Sequence, residues 1–152
     1  MNGSSIKKIS ECLNHIKGKC QLKDRKIAEQ LGISTSELNC LKIFIEGNIK
    51  ISVKDLAERL NITSGGVTKI VGQLEDRSIL RRDMDPEDRR GILVSLTSEG
   101  RSLINKLHKI TNDYYTSIFS GLSDKEKDSI LFGLESLNEA WEKNTGDISG
   151  SC

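Results

Sequence analysis

Apolar positions recur along this chain in three rhythms. In the first segment Ile6, Ile9, Leu13, Ile16 and Cys20 are spaced 3, 4, 3, 4, which sets them on one narrow stripe of a helix. From Ser98 to Ser120, Leu103, Leu107, Ile110, Tyr114 and Ile118 keep helical spacing, and Ile104 and Phe119 widen the stripe. Another helix starts at "SDKE", where Ser123 and Glu126 have capping-box spacing, and carries Ile130, Leu134, Leu137 and Trp141 on one face. A terminal stripe as narrow as the first has two readings, packing on the chain's own core or a seam with a second copy.

Between the long helices the rhythm shortens. Short helical pieces lead into "ILRRDMDPEDRRGILVSLT", where β-branched and leucine runs flank a charged turn that holds the only proline. That arrangement predicts a β-hairpin with a long polar tip. The expected order is α-α-(β)-α-α-β-β-α-α. The expected organisation is an N-terminal helix over 1–33, a central lobe over 34–101, C-terminal helices over 102–143 and a loose tail over 144–152, since "NTGDISGSC" has nothing to pack.

The middle also contains an echo. "IAEQLGIS" at 27–34 and "LAERLNIT" at 56–63 align at an offset of 29: Ala28 with Ala57, Glu29 with Glu58, Leu31 with Leu60, Ile33 with Ile62, Ser34 with Thr63. Each has what a helix-turn-helix needs: a small residue where helices cross, apolar residues for the core, and a hydroxyl to cap the next helix. After Ser34 comes a capping box with Glu37 and a broad apolar face of Leu38, Leu41, Phe44 and Ile45, which reads as structural. After Thr63, Val67, Ile70, Val71 and Leu74 face inward and leave Ser64, Gly65, Thr68, Lys69 and Gln73 outside. Lys69 is the only charge from Thr63 to Leu74, an unusual poverty for a face turned to water. Gly65 and Gly66 open that helix at about 1 kcal/mol each relative to Ala. They permit either a weak start or close approach of backbone to a phosphate. The second echo is therefore the expected reader.

Composition narrows this little. Of 152 residues 36% are apolar, only 4% are aromatic, and the net charge is +1, so no bulk positive field announces a nucleic-acid partner. From Ser52 to Arg101, nine basic residues (Lys54, Arg59, Lys69, Arg77, Arg81, Arg82, Arg89, Arg90, Arg101) face nine acidic ones (Asp55, Glu58, Glu75, Asp76, Asp83, Asp85, Glu87, Asp88, Glu99). The four cysteines are dispersed, so reduced thiols are expected. No signal-like or membrane-length apolar run occurs, which gives the expectation of a cytoplasmic protein without a membrane partner. Neither a catalytic arrangement nor a cofactor-binding motif is present, so neither an enzyme nor a cofactor is expected.

The segment from Ser52 to Gly100 resembles the winged helix of MarR-type transcription regulators. "ISVKDLAERLNITSGGVTKIVGQLEDRSILRR" is similar to that family's helix-turn-helix, and "DPEDRRGILVSLTSEG" to its wing and the start of the next helix. The resemblance implies a mostly α protein with a winged helix-turn-helix, a two-stranded β-wing and long N- and C-terminal dimerisation helices. It implies a homodimer on a pseudo-palindromic double-stranded DNA operator, acting as a repressor that answers a small-molecule effector. Recognition-helix residues Ser64, Gly65, Thr68, Lys69 and Gln73 would meet the major groove. The family's wing motif falls on Asp88, which would support the wing, and on Arg90, which would enter the minor groove. Arg89 is assigned to phosphate only. A balanced lobe predicts a shallow salt dependence of binding. It also motivates the alternative of a protein-interaction module that has given up DNA.

Relatives also sense oxidation at a cysteine near the start of the first helix, where Cys12 lies, so a thiol-based redox switch is a further alternative. Against it, the first hundred residues contain no Tyr to hydrogen-bond a thiolate. Cys20, on the apolar stripe, and Cys40, beside core residues, read as buried structural thiols. Cys12 and His15 are one turn apart, with His108 on a later helix. Zinc-sensing relatives carry a second histidine one turn on, where this chain has Asn112, so no metal is expected.

Overall fold

The computed structural model describes residues 3–45, 47, 50–88 and 91–144. The order is α1 (Gly3–Leu31), α2 (Thr35–Ile45), β1 (Lys50–Ser52), α3 (Val53–Leu60), α4 (Ser64–Asp76), β2 (Leu80–Met84), β3 (Ile92–Leu96), α5 (Ser98–Phe119) and α6 (Asp124–Asn144). This is the mostly α, winged helix-turn-helix order expected, and the parenthetical strand is present. Asn144, expected to open the tail, ends α6, and the remainder of that expected tail, 145–152, lies outside the described residues.

The chain divides into two units, 1–110 and 111–152. In the first, the core is built where α2, α3, α4 and the sheet meet: Leu38, Leu41, Leu56, Val67, Val71, Leu74 and Val94 have no exposed surface. Burial of these branched side chains supplies most of the lobe's stability. The sheet runs β1-β3-β2, all antiparallel, with Ile51 opposite Val94 and Arg82 opposite Val94 on the other side. Only the last turns of α1 join this core, through Ile27, Ala28 and Leu31. Its stripe of Ile6, Ile9 and Ile16 stays about half exposed in the single chain.

The start of α5 is pinned to the turn after α4. Thr97 Oγ1 donates to the carbonyls of Ser78 and Ile79 and accepts from the N–H of Gly100. A Cβ at Gly100 would stand 2.1 Å from the Ile79 carbonyl oxygen, so only glycine allows this approach.

The second unit comprises the rest of α5 and α6. Ser123 and Glu126 form the expected capping box, with the Ser123 N–H donating to Glu126 Oε2 at 2.8 Å and the Glu126 N–H to Ser123 Oγ at 3.4 Å. Ile118, Ile130, Leu131, Phe132, Leu134 and Trp141 are exposed here, a large apolar area for a water-facing surface. Among the described residues no helix is long and apolar enough to cross a membrane.

Candidate nucleic-acid interface

The two echoes close in the same way. Gly32 and Asn61 both take left-handed backbone, at φ 64° and 52°. The Gly32 N–H donates to Glu29 O and the Ile33 N–H to Ala28 O; at the second corner the Asn61 N–H donates to Glu58 O and the Ile62 N–H to Ala57 O. These are the paired bonds of a Schellman ending. Glycine enters that conformation freely and asparagine does so more readily than other side chains. Each corner then caps the next helix through a hydroxyl: the Glu37 N–H donates to Ser34 Oγ and the Gly66 N–H to Thr63 Oγ1, both at 3.1 Å.

The corners part at the third residue of the new helix. Glu37 returns the bond, its Oε2 accepting from the Ser34 N–H at 2.6 Å, and Glu37 is buried. Arg77, just beyond α4, donates to the Gly32 carbonyl at 3.0 Å and places Nη1 3.9 Å from Glu37 Oε1. The α1–α2 corner is thus sealed by a carboxylate and braced by a guanidinium. At the α3–α4 corner the matching residue is Gly66, which has no side chain to return the bond. The N–H groups of Ser64 and Gly65 have no hydrogen-bond partner among the described residues. A Cβ at Gly65 would meet nothing nearer than Thr63 Oγ1 at 4.0 Å, so nothing inside the chain demands glycine there. An open helix start with outward N–H groups and the positive end of the helix dipole suits an anion.

Along α4, Val67, Val71 and Leu74 are fully buried, while Ser64, Gly65, Thr68, Lys69 and Gln73 are exposed. The structure therefore brings these five expected residues together on the exposed side of one helix. Thr68 Oγ1 donates to the Ser64 carbonyl at 2.9 Å, so its lone pairs and methyl are what remain to meet a partner. The Lys69 side chain has no ion-pair or hydrogen-bond partner among the described residues. In the hairpin tip the Asp85 N–H donates to the Gly91 carbonyl and the Gly91 N–H to the Asp88 carbonyl, at 3.0 and 2.8 Å. Arg89 and Arg90, the expected phosphate and minor-groove residues, lie outside the described residues.

Three arginines that a charge count treats as available are engaged within the lobe. Arg77 braces the first corner, Arg81 donates to Ser95 Oγ and pairs with Asp83, and Arg82 donates to the Thr68 carbonyl and pairs with Glu75. The sequence marks them as cations but says nothing of these partners, which, apart from Asp83 in the same strand as Arg81, come from other elements or the far side of a turn. Among the thiols, Cys12 is exposed, Cys40 is buried, and Cys20 is only half-buried, less enclosed than expected for a structural thiol. Burial, reinforced by the nearby Glu37 carboxylate, pushes the Cys40 thiol up to about 12. Among the described residues no cluster of three or more His, Cys, Asp or Glu side chains converges as metal ligands do.

A helix-turn-helix whose second helix has an open start and one exposed side, with a β-hairpin directly after it, defines a winged helix-turn-helix protein. The MarR family model matches residues 43–92, from the end of α2 to the start of β3. The HTH-type transcriptional regulator YdgJ of Bacillus subtilis is 31% identical over 118 residues, 78% of this chain and 71% of that protein. A MarR transcriptional regulator from Methanosarcina mazei Go1 superposes with a TM-score of 0.74 at 25% identity, covering 90% of this chain and 98% of that one. A single-residue mutant of MepR from Staphylococcus aureus, solved bound to an oligodeoxyribonucleotide, shares the fold with a TM-score of 0.62 at 22% identity, covering 87% of this chain and 96% of that one. The chain belongs to the MarR family of transcription regulators.

Proposed function

We propose that this protein is a homodimeric, sequence-specific double-stranded-DNA-binding repressor whose DNA affinity responds to a small molecule. The observation that carries the reading is the contrast between the two corners: of α2 and α4, only α4 presents an N-terminus unsealed by a carboxylate, with Ser64, Gly65, Thr68, Lys69 and Gln73 exposed along the helix behind it. The central lobe over 34–101 would read DNA. The N-terminus of α4 would sit on a phosphate, Ser64, Thr68, Lys69 and Gln73 would meet base edges or phosphates, and Arg90 would enter the minor groove. The half-exposed stripe of α1 and the exposed apolar residues of α6 support pairing of two copies through the terminal helices, because an uncovered apolar area of this kind is costly in water. Two lobes held so would read half-sites roughly 10 bp apart. For the effector, a recess of about 270 Å³ lined by Phe44, Lys50, Arg81 and Arg101 supports an anionic ligand.

The test is fluorescence-anisotropy titration of the protein against the DNA upstream of its own coding sequence and against a scrambled duplex, at two salt concentrations. Binding to the first at least a thousandfold tighter, roughly the ratio specific regulators reach, is expected. Equal weak binding to both would overturn the reading and favour a protein partner. Light scattering at the same concentrations checks for two copies, and an effector shows as release of the duplex on its addition.

A further inference from the structure

Arg82 leaves β2 and lies over α4. Its Nη2 donates to the Thr68 carbonyl oxygen at 3.0 Å, its Nε stands 3.4 Å from Glu75 Oε2, and its backbone N–H donates to Glu75 Oε1 at 3.3 Å. One residue of the hairpin is thereby tied to α4 at two points seven residues apart, about two helical turns. Gly72 makes the room, for a Cβ there would stand 3.3 Å from Arg82 Nη2. That also gives a reason for a glycine in the interior of a helix, where it is costly. Its neighbour Arg81 is different: it sits opposite Ser95, on the other face of the strand, and bonds within the sheet.

We infer that Arg82 is a positioning residue for DNA reading, which sets the angle between α4 and the β2–β3 hairpin so that helix and wing engage the duplex in register. The inference rests on the DNA-reading role proposed for α4. Arginine suits the task because its planar fork can hold a carbonyl and a carboxylate at once, whereas a lysine ammonium is a point charge on a flexible stem. The obvious rival role for an arginine at this place is a direct phosphate contact, and the two roles move binding in opposite ways. A phosphate contact at Arg82 would make Arg82→Gln lose affinity for every duplex and flatten the salt slope by about one. It would also make Glu75→Gln bind more tightly, since a competing anion has gone, and let Arg82→Lys recover most of the loss.

The experiment measures Arg82→Gln, Arg82→Lys and Glu75→Gln in the full chain by two readouts. In the first, duplex binding is titrated against the protein's own upstream DNA and a scrambled duplex at several salt concentrations. All three variants are expected to lower the ratio of specific to scrambled affinity by about tenfold, as one mismatched base pair does, with the salt slope on scrambled DNA unchanged. A flattened slope for Arg82→Gln, tighter binding by Glu75→Gln or recovery by Arg82→Lys would overturn the inference. The second readout is amide hydrogen exchange without DNA, at matched melting temperatures. Faster exchange confined to the second half of α4 and to β2 is expected in Arg82→Gln and Glu75→Gln, and unchanged exchange there would overturn the inference. Should the wild-type protein fail to discriminate the two duplexes, the DNA reading fails by itself and the exchange result decides whether the tie exists.

Discussion

The corner between α1 and α2 and the corner between α3 and α4 share a turn, a cap and a hydrogen-bond pattern, yet one closes on the protein and the other opens outward. The difference lies in the residues just past the cap. At the first corner, Glu37 fills the helix start with its own carboxylate, Arg77 braces it, and α2 goes on to bury Leu38, Cys40, Leu41, Ile43 and Phe44. At the second, Gly66 leaves the helix start unfilled, and α4 buries one side only, through Val67, Val71 and Leu74. The proposed reader is thus the helix-turn-helix whose second helix is left without a carboxylate at its start and with one side uncovered. The turn itself is neutral about that choice.

The largest effect should come from making the second corner like the first. Gly66→Glu is expected to complete a capping box and gain about 1 kcal/mol of stability, since glycine in a helix costs about that much. The new carboxylate would stand where a phosphate is proposed, so duplex binding should fall about a hundredfold. Thermal unfolding and anisotropy measure the two changes, and binding that rose along with stability would show that the α4 start does not meet phosphate.

On the outward face the effects should be smaller and separable. Gln73→Ala is expected to cost about 1–3 kcal/mol of discrimination at one base pair. Lys69→Ala should instead weaken all duplexes together and reduce the salt slope by about one. Titration against a set of singly substituted duplexes distinguishes these, and a base-specific loss for Lys69→Ala would reverse the assignment.

At the first corner Arg77→Ala should lower stability by about 1 kcal/mol, because Arg77 is partly exposed and solvent screens its pairing with Glu37. Urea unfolding measures this. The salt slope of DNA binding is expected to stay as it was, and a shallower slope would mean that Arg77 also touches phosphate.

The least disturbing probe compares thiols. At pH 8 a thiol reagent should modify Cys12 in the folded protein and spare Cys40, which reacts only on unfolding. Cys40 holds its proton in the fold up to about 12 against 9.0 ordinarily. Unfolding therefore releases a proton between those values, and this contribution to stability is full below pH 9 and is lost as pH rises toward 12. Reaction of Cys40 in the native state at pH 8 would show that the α2 corner opens, contrary to its sealed geometry.

Much of this was legible in the amino-acid order. The helical periodicity of α1, α5 and α6, the Ser34–Glu37 and Ser123–Glu126 capping boxes, the two echoed turns and the hairpin around the only proline all rest on contacts within a few residues. Such contacts arise from which side chains stand three or four places apart. The outward residues of α4 were legible for the same reason, since helical spacing puts Val67, Val71 and Leu74 on one side and Thr68, Lys69 and Gln73 on others. The tertiary structure alone decided the fate of the arginines. Arg77 reaches Gly32, Arg82 reaches Thr68, and Arg81 reaches Ser95, over separations that no local rule spans. A long, flexible cation finds its partner by proximity in the packed fold, so a count of nine bases against nine acids could say that the lobe was balanced but not which charges remained to face outward.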